Sequence, residues 1–104
     1  MSKCKITVLK RMVNTDLVEE YLNTDVTGEF TACKRFSDGQ EIVVEHFSEI
    51  PEGFCAWAWA DIRRDIKTIA AGGNLSWVKP PGTAIVGCTD WFRPVIFKIE
   101  RIEE

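Results

Sequence analysis

Residues 55–71 constrain this chain more than any other stretch. Cys55, Trp59, Ile62, Ile66 and Ile69 recur at steps of four, three, four and three. That is the spacing of one helical face. Asp61, Arg64, Asp65 and Lys67 fall off the stripe. Pro51-Glu52-Gly53 turns the chain into this helix, and Gly72-Gly73 supplies the left-handed stop that ends it. A helix apolar along one side over about four turns must lie on a second apolar layer.

The rest of the chain offers strands for that layer. Ile6-Thr7-Val8-Leu9 is β-rich, and the spacing predicts a strand over 4–11. Residues 40–47 alternate, with Glu41 and Glu45 on one side and Ile42, Val44 and His46 on the other. Strands over 83–89 and 94–102 follow the rigid turn Lys79-Pro80-Pro81-Gly82. Their short connection makes them an antiparallel hairpin. Asn14-Thr15-Asp16 offers cap chemistry for a short helix over 15–22, and the turn-rich stretch 23–28 ends it. Residues 29–38 read as a loop that packs a few apolar side chains. The predicted fold is α+β: a small antiparallel sheet, one long helix on a face, and a short second helix. A length of 104 residues fits one domain over 1–104.

Composition bounds the function. The net charge is −3. A net acidic charge argues against a non-specific nucleic-acid binder, which needs a basic face; Lys34-Arg35 and Arg63-Arg64 give only short basic clusters, and no nucleic-acid partner is expected. No run approaches the ~20 apolar residues of a membrane span. The apolar stretch 6–9 is too short for a signal peptide, which makes the cytoplasm the expected location and a membrane partner unexpected. Cys4, Cys33, Cys55 and Cys88 lie 29, 22 and 33 positions apart, with no C-x-x-C pair. Free thiols are the expectation in a reducing compartment, and each doubles as a small core residue.

Gly53-Phe54-Cys55-Ala56-Trp57-Ala58-Trp59 is the most distinctive run. Cys55 falls in the first turn of the long helix, where the partial positive charge of the helix end favours a thiolate. Trp57 and Trp59 differ by about 200° around the axis. Trp59 is on the core stripe, so Trp57 points elsewhere. Cys88 ends a strand and Cys33 lies in the irregular segment. Asp90 and Arg93 flank Trp91-Phe92 at the hairpin tip, where a plain turn or an anion-holding pair would both use these types. His46 is first a hydrogen-bonded structural residue and second a ligand contact, because imidazole suits acid–base work. The catalytic candidates are Cys55, Cys33, Cys88 and Asp90. The ligand-binding candidates are Trp57, Trp91, Arg93 and His46. No cofactor is expected. Any metal would sit on Cys33, Cys55 and Cys88, with His46 or Asp90 completing the set.

Several segments resemble a family of small, largely uncharacterised bacterial and archaeal proteins. They are 5–11, Cys33 with Phe36 and Gly39-Gln40, 51–62 with its Phe-Cys-Ala-Trp-Ala-Trp core, Gly72-Gly73-Asn74, Cys88-Thr89-Asp90, and 93–98. The resemblance implies thiols at 33, 55 and 88 and the Asp90/Arg93 pair, and no established activity. Two positions depart from the family pattern. Gly87 stands where a second cysteine is often found, and Trp91 stands where glycine often follows the aspartate. The family pattern has no histidine at 46.

Three functions follow. The first is a small-molecule-binding or thiol-dependent protein that places Cys55 in a tryptophan-lined pocket, with Arg93 holding a small anionic ligand. The second is an interaction module, its exposed aromatics Trp57, Trp77, Trp91 and Phe92 building a homodimer or docking a partner. The third is a cysteine-ligated metal protein.

Overall fold

The computed structural model describes residues 1–23 and 30–102. The elements are β1 (Lys3–Arg11), α1 (Thr15–Tyr21), β2 (Glu41–Val44), α2 (Ala56–Ala70), β3 (Thr83–Gly87) and β4 (Val95–Ile102). The four strands form one antiparallel sheet in the order β2-β1-β4-β3. This is the α+β architecture expected from the sequence. The stretch 23–28 lies, apart from Asn23, outside the described residues.

The sheet's inner face carries Cys4, Ile6, Val8, Val44, Ala84, Val95, Phe97 and Ile99, all buried. Alternation along β1 and β4 puts these on one side. Helix α2 lies across them and buries Trp59, Ile62, Ile66 and Ile69. Its stop is a full Schellman motif. The Gly73 N–H donates to the Thr68 carbonyl and the Gly72 N–H to the Ile69 carbonyl, with Gly72 at φ +96°. A Cβ at Gly73 would sit 2.8 Å from the Thr68 carbonyl oxygen. The outer face is charged. Lys3 pairs with Glu45, Lys5 with Glu41, and Lys98 with Glu100.

Two features of the sheet position everything else. A bulge between Val8 and Lys10 shifts the β1–β4 register, so that Arg11 stands opposite Val95. That turns Arg11 to the inner side. There its guanidinium donates to the Cys33 carbonyl and to Asp38, both at 2.9 Å, and ties down the 30–40 segment. At the opposite end, Arg101 donates to the Ile69 and Gly73 carbonyls at 2.9 Å each and to the Asn74 side chain at 3.0 Å. A cation on the exposed carbonyls of a helix C-terminus offsets the helix dipole.

Strand β2 is shorter than the alternation over 40–47 suggests. Val44 pairs with Cys4, so residues beyond 45 run past the start of β1 and have no strand to join. The chain turns there instead. The Glu49 N–H donates to the His46 carbonyl, and His46 Nδ1 and the Ser48 hydroxyl share a 2.6 Å hydrogen bond. His46 is therefore an exposed turn residue and not part of an apolar strand face.

Arg101→Met should lower the unfolding free energy by about 2–3 kcal/mol, the cost of losing charge-assisted hydrogen bonds to carbonyls. Urea denaturation measures it. Burial pushes the Cys4 thiol above its ordinary pKa, and the Arg101 guanidinium pulls it partly back. The folded state thus holds a proton that the unfolded chain releases. The stability from this site is complete below the ordinary thiol pKa and is lost as pH rises through the raised folded value. Urea midpoints should fall from neutral to alkaline pH, and Cys4→Ala should flatten that slope.

Candidate functional site

Three segments far apart in sequence meet at one end of the inner face: the 30–40 loop, the start of α2, and the 88–94 link between β3 and β4. They enclose a cleft of about 610 Å³. Its volume is that of a small-molecule site.

The α2 side is set by a turn. The Phe54 N–H donates to the Pro51 carbonyl, and Gly53 adopts φ +77° between them. Positive φ at the third turn position is a glycine requirement. The turn drops Phe54 into the core and leaves Cys55 as the N-cap of α2, one position before the helix proper. Cys55 is half-buried and lines the cleft. Trp59 is buried, whereas Trp57 is 64% exposed and stands at the cleft's edge. The two indoles diverge as the 200° offset requires.

The opposite wall is the 88–94 link. The Cys88 N–H donates to the Val95 carbonyl, and the Val95 N–H donates back to the Cys88 sulfur at 3.3 Å. Asp90 organises the tip. Its carboxylate accepts from the Phe92 N–H and the Arg93 Nε at 3.3 Å each, and its carbonyl accepts from the Arg93 N–H. Arg93 also lies over the Phe30 ring, 5.0 Å from its centroid. Trp91 is 65% exposed at the rim.

Beneath the cleft lies an aromatic cluster. Phe36 packs edge-on against Phe54 at 5.1 Å and against Phe97 at 5.2 Å. Edge-to-face rings at this separation add stability beyond their buried area. Phe36 and Cys33 bring the 30–40 loop into the cleft wall.

The structure brings together Cys33, Cys55, Cys88, Asp90, Trp57, Trp91 and Arg93, all of which line this cleft. It does not bring His46, which stacks on Phe47 outside it. Trp77 follows the C-terminal end of α2, while Trp57 is in its first turn. Trp77 is exposed and does not line the cleft. All four cysteines are free. Among the described residues, no three His, Cys, Asp or Glu side chains come together as a metal site.

Four residues of the site are not among the catalytic or ligand-binding candidates of the sequence. Arg35 brings a second guanidinium to the cleft and donates to the Gly53 carbonyl at 3.4 Å. Asp61 accepts from the Thr89 N–H at 2.7 Å and from the Thr89 hydroxyl at 3.0 Å. That hydroxyl accepts from the Trp57 indole N–H at 2.8 Å. The chain Trp57–Thr89–Asp61 therefore clamps the link onto α2. Asn14 donates its side-chain amide to the Trp91 carbonyl at 2.6 Å, and its own N–H to the Phe92 carbonyl. Asn14 holds the N-cap position of α1 with no side-chain cap hydrogen bond, and its amide N–H is on the cleft rim. The i, i+4 spacing of Trp57 and Asp61 is a sequence signal that puts the two on one helix face.

No family model, curated protein or solved structure matches this chain, so its own geometry carries the reading of the site.

Thr89→Val removes the hydroxyl shared by Trp57 and Asp61 while keeping the residue's shape. The loss should be about 1 kcal/mol of stability, typical of one hydrogen-bond network member. The clearer signal is local. Cys88 should alkylate faster in the variant, with Cys4 unchanged, as read by peptide mass after timed labelling.

Proposed function

We propose that the cleft binds a small anionic molecule with an apolar body and presents the Cys55 sulfur to it as a nucleophile. One observation carries this reading. A single cleft combines three thiols, two guanidinium groups and a largely apolar wall that includes Phe36, Trp57, Trp91 and Phe92. Apolar walls with a few placed polar groups are the usual chemistry of a ligand pocket. The charge favours an anion. Asp90 is already paired with Arg93, and among the described residues Arg35 has no carboxylate within ion-pair distance. Guanidinium groups suit carboxylate and phosphate by their planar donor fork. In the nucleophilic step, the sulfur would bond to an electrophilic carbon of the ligand, the leaving group would carry off the electron pair, and the thiol proton would pass to solvent.

A second reading has a specific support. Trp57 and Trp91 are 64% and 65% exposed at the rim. A second copy of the chain laid across the rims would cover both, and the ligand site would then be shared across a homodimer. Four free cysteines fit a reducing, cytoplasmic setting. No helix among the described residues is long and apolar enough to cross a membrane. We also propose membership in the small bacterial and archaeal family that the Phe54–Trp59 run resembles, which adds no activity.

The test uses two alkylating reagents of similar size and different charge, iodoacetate and iodoacetamide. The iodoacetate-to-iodoacetamide rate ratio at Cys55 should be several-fold higher in the native protein than in the urea-unfolded chain. An uncompensated cation a few ångströms away gives an effect of that order. Arg35→Gln should remove most of the gain. A native ratio equal to the unfolded one, with slow labelling by both reagents, sinks the thiol reading. A mass that doubles with concentration while Cys55 stays slow favours the homodimer.

A further inference from the structure

A second concave site lies outside the cleft, on the solvent side of α2. The turn at 46–49 packs Phe47 and Ser48 against the helix. The groove between them has a volume of about 400 Å³ and is lined also by Ala60, Arg63, Arg64 and Lys67. Residues 60, 63, 64 and 67 are neighbours on one helix face.

The charged side chains that line this groove are all cations. On the outer sheet face, Lys3, Lys5 and Lys98 each have a carboxylate partner. Arg11 and Arg93 are paired as well, and Arg101 is spent on helix carbonyls. Arg63, Arg64 and Lys67 have no carboxylate within ion-pair distance among the described residues, and no acidic side chain lines the groove. Glu45, on the strand before the turn, is taken by Lys3 at 2.9 Å, and neither Glu49 of the turn nor Asp65 of the helix lines the groove. Three cations thus stand together on a chain whose net charge is −3.

One of them is already positioned. The Lys67 ammonium lies over the Phe47 ring, 5.7 Å from its centroid. Phe47 is in turn stacked on His46 at 4.7 Å, and His46 is locked to Ser48. A cation held over a ring loses less freedom on binding a ligand than one on a free stem. Two arginines beside it add the planar forks that match phosphate oxygens.

We propose that this groove is a binding site for a small phosphate-bearing ligand of the diphosphate class, separate from the cleft. Arg63 and Arg64 hold the phosphate oxygens, Lys67 supplies a point charge over Phe47, and the Ser48 hydroxyl lies within the same wall. The site is open to solvent, so binding weakens as salt screens it.

Inorganic pyrophosphate, titrated into the full chain and followed by amide NMR shifts, tests the assignment. Saturable shifts should centre on residues 47–48 and 60–67 and weaken with added sodium chloride. The double variant R64Q/K67Q should bind about tenfold more weakly, the scale of losing two charge-assisted contacts. A control, K5Q/K98Q on the outer sheet face, should bind as the parent does. Equal melting temperatures for parent and R64Q/K67Q keep the comparison on binding. Shifts that never saturate, that persist unchanged in R64Q/K67Q, or that fall on Arg35 and Arg93 overturn the site. A short single-stranded oligonucleotide that binds these residues more tightly than pyrophosphate overturns the small-ligand assignment.

Discussion

The pairing of the first strand with the last holds the molecule together. Strands β1 and β4 are the two central strands of the sheet, and their partners are as distant in sequence as Lys3 and Ile102. Edge strand β2 pairs with β1 and edge strand β3 with β4, so this central pair joins the two halves into one floor beneath α2. The inner side chains of the pair, Ile6, Val8, Phe97 and Ile99, are fully buried. Contacts of such long range make folding slower than the short chain length suggests. Arg101 extends the same strand's reach to the end of α2. Sheet and helix therefore share one anchor at that end.

At the other end, the same strand pair builds the cleft indirectly. Its bulge turns Arg11 inward, and Arg11 holds the backbone at Cys33. The β1 exit then runs beside the 88–94 link, with the Met12 and Asn14 N–H groups donating to the Pro94 and Phe92 carbonyls. The link is gripped from a second side by Asp61 through Thr89. A rim held from two elements is preorganised, which lowers the ordering cost of taking up a ligand. The exposed indoles of Trp57 and Trp91 thus sit on fixed backbone and not on a loose loop.

Helix α2 was legible because periodicity is a local property. Its stripe, its Gly72-Gly73 stop and the divergence of Trp57 from Trp59 all follow from 3.6 residues per turn. The strands were legible by alternation, within a residue or two at most ends. Strand β2 was the exception. Alternation carried it to residue 47, but a strand extends only as far as its neighbour does, and β1 begins at Lys3. His46 moved from an apolar face to an exposed turn for that reason. The cleft residues stood out because cysteine, tryptophan and a flanking Asp/Arg pair are unusual in loops. Arg35 did not, since an arginine beside a lysine reads as ordinary surface. Asn14 did not, because an asparagine before a helix reads as its cap.

Residue type and spacing alone therefore determined the element order, the core stripe and the identities of the thiols, indoles and charges available for chemistry. Those depend on covalent geometry and on which side chains leave water. Only the tertiary structure decided which of them meet. It brought Cys33, Cys55 and Cys88 to one cleft, left His46 and Trp77 outside it, and gathered Arg63, Arg64 and Lys67 against Phe47. These are contacts between segments far apart along the chain. Strand register, a single bulge and two arginine anchors set them, and no local pattern encodes a register.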